Sequence, residues 1–216
     1  ESIAKSKYKG KVQTGELAII TTFSDIAFDH KGNMFISDRL NHQIRKVSAK
    51  GEITTIAGTG ESAYYGDGGP ASEAAFRDPG ALTTDKEGNL YIADGANNMI
   101  RKIDTKGIVS TVGGNGNHEN SGDGGPALKA GMRNMDYLAM SPTGELHIAG
   151  MNSHVVRKIT KDGKIATVAG TGYQGYFGDG GPGPKAMLKS PSAVTFDSKG
   201  NLYISDMGNN RIRKVD

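Results

Sequence analysis

The residues of this chain best suited to moving protons or holding a metal are five histidines and a set of recurring aspartates. The histidines are His30, His42, His118, His147 and His154. His42 and His154 hold matching positions in two segments, where the two sister segments carry Asn98 and Asn210. Such a pair can share a metal only if its turns face one another; otherwise both are surface turn residues. There is no His-Glu-x-x-His, no Gly-x-Ser-x-Gly and no phosphate-cradling P-loop, so the usual zinc, acyl-transfer and nucleotide signatures are missing. Cysteine is absent, which removes disulfides and thiolate ligands. No catalytic residue, metal ligand or cofactor is assigned from the sequence.

The aspartates fall at fixed places. Asp67, Asp123 and Asp179 each open a Gly-Asp-Gly-Gly-Pro run. One carboxylate per loop is thin for calcium, which takes 6–8 oxygen ligands. They are therefore expected to be structural, accepting backbone amides in a tight turn. Asp38, Asp94 and Asp206 recur with Arg45, Arg101 and Arg213, and Arg157 completes the arginine series. A residue repeated in nearly every segment is expected to brace the scaffold; the other reading is a ring of charge around a channel.

The elements that must position these residues are repeats. Gly32-Asn-Met-Phe-Ile-Ser-Asp38 returns as Gly88-Asn-Leu-Tyr-Ile-Ala-Asp94, Gly144-Glu-Leu-His-Ile-Ala-Gly150 and Gly200-Asn-Leu-Tyr-Ile-Ser-Asp206. Each is followed by Ile-Arg-Lys-Val or a close variant. The lead glycines 32, 88, 144 and 200 are 56 residues apart each time. A fixed period of this size marks a solenoid or propeller. Within one period, strands are expected at Ala81–Thr84, Leu90–Ala93, Met99–Ile103 and Ile108–Val112, joined by Gly/Asn/Asp turns. A short helix is expected over Pro70–Phe76. Four antiparallel strands in a meander make a propeller blade.

The fold class is thus all-β: a β-propeller of four four-stranded blades. It forms one domain over 1–216, with repeats at 22–77, 78–133, 134–189 and 190–216. Residues 1–21, rich in strand formers, are expected to supply the missing last strand and close the ring; the alternative is an open arc of a six-bladed propeller. The Gly-Asn-Leu-Tyr-Ile-Ala-Asp and Ile-Arg-Lys-Val motifs resemble the NHL repeat, with Gly-Asp-Gly-Gly-Pro-Ala loops similar to its long-period bacterial form. That resemblance covers nearly all of residues 22–216. It implies a propeller, often six-bladed, used to bind protein, RNA or sugar, with a few lyases and hydrolases among the relatives.

The third repeat departs from the others. His147 replaces Tyr91 and Tyr203, Gly150 replaces the aspartate, Met135 replaces Pro79 and Pro191, and Tyr137 replaces Ala81 and Ala193. On a repeat scaffold such departures are candidates for a grafted site. The ligand-binding candidates are Tyr137, Asp136, His147, Met151 and His154, with drift and repacking as the competing reading. Tyr64, Tyr65, Tyr173, Tyr176 and Phe177 form a second aromatic set.

Composition bounds the rest. The net charge is +3 with lysine and arginine spread along the chain, so no basic stripe marks a nucleic-acid partner. No apolar run approaches the roughly 20 residues of a membrane span. The function expected is a non-catalytic binding or scaffolding propeller for a protein or glycan partner, outside the cytoplasm in an extracellular or periplasmic setting. The alternatives are a metal-assisted lyase or hydrolase working in the channel, and a structural subunit of a larger assembly.

Overall fold

The computed structural model describes residues 22–216. The expected closing role of 1–21 lies outside the described residues. The described residues form fifteen strands in four antiparallel meanders. Blade 1 holds β1 (Phe23–Phe28), β2 (Met34–Asp38), β3 (Gln43–Val47) and β4 (Ile53–Ala57). Blade 2 holds β5 (Pro79–Thr84), β6 (Leu90–Asp94), β7 (Met99–Ile103) and β8 (Val109–Gly113). Blade 3 holds β9 (Tyr137–Met140), β10 (Leu146–Gly150), β11 (Val155–Ile159) and β12 (Ile165–Ala169). Blade 4 has three strands among the described residues: β13 (Pro191–Phe196), β14 (Leu202–Asp206) and β15 (Arg211–Val215). The four-bladed propeller read from the repeat is the architecture observed.

Each blade is a period-2 strand pattern wrapped on both faces. Ile44 and Ala57 of blade 1 pack with Leu82, Leu90, Ile92, Ile103 and Val109 of blade 2. The next interface sets Ala81, Ala93 and Ile100 against Leu138, Leu146, Ile148, Ile159 and Ile165. The third joins Ala149, Val156 and Ala169 to Val194, Leu202 and Ile204. On each trailing face alanines and one β-branched residue, Ile44, Ile100 or Val156, meet the large residues of the leading face. The inner strands follow one another: β1 packs on β5, β5 on β9 and β9 on β13, and among the described residues no comparable contact joins β13 to β1. Ile212 is 69% exposed, where its counterparts Ile44, Ile100 and Val156 are fully buried.

The second to third strand turn is the same in all blades but one. A single 3-10 turn follows the aspartate in blades 1, 2 and 4, ending at His42, Asn98 and Asn210 in the left-handed region. Gly58, Gly114 and Gly170 lie against these turns at positive φ. A Cβ there would fall 2.2 to 2.3 Å from the carbonyl oxygens of His42, Asn98 and His154, so only glycine fits.

The helix expected over Pro70–Phe76 is not formed. A 3-10 turn covers Ala71–Glu73, and Ala74 is already extended. Phe76 is fully buried between blades 1 and 2. Delivering that ring to the core requires an extended approach, and Tyr65 and Ser62 bridge to Ala75 and Phe76 there. Burial thus overrides the local helix signal.

Candidate functional site

The inner strands of all four blades enclose a channel cavity of about 520 Å³. Ile26 and Phe28, Leu82 and Thr84, Tyr137 and Met140, and Val194 and Phe196 contribute to its wall. Asp85, Lys86, Glu87 and Ser141 stand at one rim. The wall mixes apolar side chains with threonine hydroxyls and a single tyrosine, and three charged groups stand at the rim. Among the described residues no three His, Asp or Glu side chains converge as metal ligands.

The third-blade candidates divide between two environments. Tyr137 begins β9, pairs in register with Ala149 and is half-buried against the interface of blades 3 and 4. Asp136 is exposed beside it, and its Oδ2 accepts the Met151 N–H at 2.7 Å. Asp136, Tyr137 and Met151 therefore stand together at one end of the inner strand. His147 does not join them. It is buried, edge-on to Phe196 with ring centres 4.8 Å apart. Its Nδ1 lies 3.2 Å from the Glu145 carbonyl. His154 lies outside the channel wall: its Nδ1 accepts the Ser190 N–H at 3.1 Å. His42 does the same for Asp78 at 3.2 Å. The two histidines each tie one blade's turn to the start of the next inner strand.

Burial lowers the pKa of His147, opposed by the Glu145 carbonyl and carboxylate. The unfolded chain, with histidine near its usual value of about 6.5, then binds more protons than the folded one. Stability is kept above that pH and lost as the pH falls below it. His147→Phe, the residue blade 1 carries at Phe35, is expected to narrow the difference in Tm between pH 7.5 and 5.5, as read by thermal unfolding.

The loop aspartates hold the scaffold in a way the sequence did not disclose. Rather than capping their own turn, they reach across to the third and fourth strands of the blade that follows. Asp67 Oδ1 accepts Arg101 Nη2 at 2.7 Å, and its Oδ2 accepts the Thr111 N–H at 3.0 Å. Asp123 does the same for Arg157 at 2.6 Å and the Thr167 N–H at 2.8 Å. Asp179 pairs with Arg213 at 2.5 Å. Burial alone would raise the Asp67 and Asp123 carboxyls. The threonine and arginine partners outweigh it and bring both below the usual value. With their oxygens so occupied, calcium is expected to leave Tm unchanged; a calcium-dependent rise would contradict this bracing role.

A second carboxylate completes the brace. Arg101 also donates to the buried Asp94, Arg213 to Asp206 and Arg45 to Asp38. Asn97 and Asn209 then bond the same aspartates. Blade 3 has changed both members of that pair. Gly150 removes the carboxylate and Ser153 replaces the asparagine, with the Ser153 hydroxyl donating to the Gly150 carbonyl at 3.2 Å. The two substitutions compensate one another, which assigns Gly150 to repacking.

Asp25 is a further residue that sequence reading passed over. It stands where blades 2 and 4 carry alanine, and its Oδ2 accepts the Leu82 N–H of the neighbouring inner strand at 2.8 Å. Burial raises its carboxyl, opposed by the Leu82 and Ile26 amides. Its polarity at a position of Ala81 and Ala193 was the available signal.

These features define an NHL-repeat β-propeller with a central channel and blade-to-loop ion pairs. The sequence model of the Teneurin NHL domain matches residues 59–124 and 125–216, and the chain belongs to that family. Teneurin-m of Drosophila melanogaster is 30% identical over 210 residues, covering 85% of this chain and 8% of the fly protein. Human Teneurin-1 is 24% identical over 275 residues, covering 85% of this chain and 10% of its own length. The chain thus spans about a tenth or less of these relatives. Among solved structures, a streptogramin B lyase superposes with TM-score 0.60 at 16% identity, covering 92% of this chain and 53% of the lyase. An auxiliary nutrient binding protein from Bacteroides ovatus gives TM-score 0.64 at 18% identity, covering 90% and 48%. Likeness at this identity shows the fold alone.

Proposed function

We propose that this chain is a non-catalytic binding propeller whose partner is a protein, engaged at the channel mouth formed by Asp136, Tyr137 and Met151 in an extracellular setting. The supporting observation is the channel itself. Its wall is built largely from isoleucine, leucine, valine, methionine, phenylalanine and threonine with one tyrosine, its charged groups Asp85, Lys86 and Glu87 stand at one rim, and among the described residues no cluster of His, Asp or Glu could hold a metal ion. A tyrosine half-exposed at such a mouth offers an apolar ring and a hydroxyl, the combination enriched at interfaces. The extracellular setting is read from the teneurin relatives. Probing an array of secreted and cell-surface ectodomains, with a glycan array beside it, tests the reading. Binding on the ectodomain array supports it. Binding confined to glycans replaces the protein partner with a sugar, and a metal-dependent lyase activity on either set overturns it.

A further inference from the structure

Blade 3 has lost a carboxylate but kept the groups that this carboxylate serves in its sister blades. In blade 2 the fully buried Asp94 accepts the Arg77 N–H at 2.7 Å, Asn97 Nδ2 at 2.9 Å and Arg101 Nη1 at 3.3 Å. In blade 4 the fully buried Asp206 accepts the Lys189 N–H at 2.7 Å, Asn209 Nδ2 at 2.8 Å and Arg213 Nη1 at 3.3 Å. Each carboxylate ties the residue leading into the inner strand to the arginine of the third strand.

Gly150 and Ser153 remove that carboxylate and its asparagine from blade 3, while Arg133 and Arg157 stay at the matching positions. Arg157 Nη1 donates to the Gly131 carbonyl at 2.8 Å, as Arg101 Nη1 does to Ala75. The second Nη1 proton, which Arg101 gives to Asp94, has no acceptor among the described residues, and neither has the Arg133 N–H. Beside them lies a cavity of about 10 Å³, lined among others by Asn120, Arg133, Gly150, Ser153 and Arg157. Its walls all come from blade 3 and the crossing loop before it, between Asn120 and Arg157. The Arg157 side chain that lines it is only 4% exposed. The volume is about that of one water-sized sphere, room for a single heavy atom. A side chain grown from Gly150 alone cannot fill it, because a Cβ would fall 2.0 Å from Ser153 Oγ and 2.6 Å from the Asn134 carbonyl oxygen.

We infer that this cavity binds a monoatomic halide anion, chloride, in the place of the Asp94 and Asp206 carboxylates. A buried guanidinium N–H and a main-chain N–H meet where two sister blades hold a full negative charge. Hydrogen bonds to an ionised acceptor are about twice as strong as neutral ones. The other carboxylate of Arg157, Asp123, is 46% exposed, and water screens it. The ion links Arg133 to Arg157 and so fixes the entry to β9, the strand that begins at Tyr137. The inference does not rest on the channel-mouth reading.

The test has two arms. Thermal melts of the full chain compare sodium chloride with sodium gluconate, whose anion is too large for the cavity, at equal ionic strength. Chloride is expected to raise Tm saturably, by roughly 3–6 °C at ten times its Kd. The double variant Gly150→Asp, Ser153→Asn restores the blade 2 pair and supplies a tethered carboxylate, so its Tm is expected to be the same in both salts. The second arm needs only the wild-type chain. Crystals grown in bromide at about 150 mM, near physiological ionic strength, are expected to show an anomalous bromine peak against Arg157 Nη1 and the Arg133 N–H. Equal wild-type melts in the two salts overturn the inference. So does a chloride effect that persists in full in the folded double variant, or a water in the cavity with no anomalous signal.

Discussion

Asp123→Ala is expected to lower stability by about 3 kcal/mol, the low end of the cost of stranding one member of a buried ion pair. Arg157 is 4% exposed and its only carboxylate among the described residues is Asp123. Asp123 is itself 46% exposed, and solvent softens the loss, which places the estimate at the low end. Arg101 and Arg213 differ, because each keeps a second, fully buried aspartate. Asp67→Ala is therefore expected to cost only about 1–2 kcal/mol. For a domain of this size, about 3 kcal/mol corresponds to a fall in Tm of roughly 6–12 °C. The pH dependence has a definite sign. The Asp123 pKa is lowered in the folded protein, so its stabilisation is present above about pH 4 and is lost as the pH falls further. Thermal or urea unfolding of the two variants checks the order, and equal losses would contradict the account of Gly150 in blade 3.

Phe76→Ala is expected to cost about 4 kcal/mol, in the range for emptying an aromatic core position. The ring is fully buried between blades 1 and 2. It also carries the Arg101 guanidinium, whose central carbon lies 5.0 Å from the ring centre. The alanine therefore removes both the wedge between two blades and the floor under a buried cation. Met132 and Leu188 hold the matching positions in the next two crossing loops, and both are buried. Phe76→Leu is accordingly expected to cost less than about 1.5 kcal/mol. Urea unfolding of both variants measures the pair.

Much of the fold was legible because period, strand alternation and turn chemistry agreed. The strands expected at Leu90–Ala93 and Met99–Ile103 fall within a residue of those observed, Leu90–Asp94 and Met99–Ile103. Tyr137 and Asp136 were brought to notice by comparing repeats, and they stand together at the inner strand. What the sequence withheld is long-range pairing. The loop aspartates precede their arginines by 34 residues in each copy, at 67 and 101, 123 and 157, 179 and 213, yet spacing alone says nothing of contact. The same limit hid the tie from His42 to Asp78 and the exchange of Asp and Asn for Gly150 and Ser153. The Pro70–Phe76 helix signal was real but local, and the burial of Phe76 overrode it.

The central claim is that blade 3 presents a binding site at Tyr137, and one paired measurement reaches it. Wild type and Tyr137→Ala are compared on the same ectodomain array and in the same thermal melt. Alanine is the residue that Ala81 and Ala193 supply at this position in blades 2 and 4, so the scaffold tolerates it. The account predicts that the variant loses at least about tenfold in affinity for the partner, about 1.4 kcal/mol. Its Tm is predicted to fall by no more than roughly 4 °C, the equivalent of about 1 kcal/mol. Unchanged binding together with a loss of about 3 kcal/mol or more, the cost of emptying an aromatic core position, would make Tyr137 a packing residue and contradict the claim.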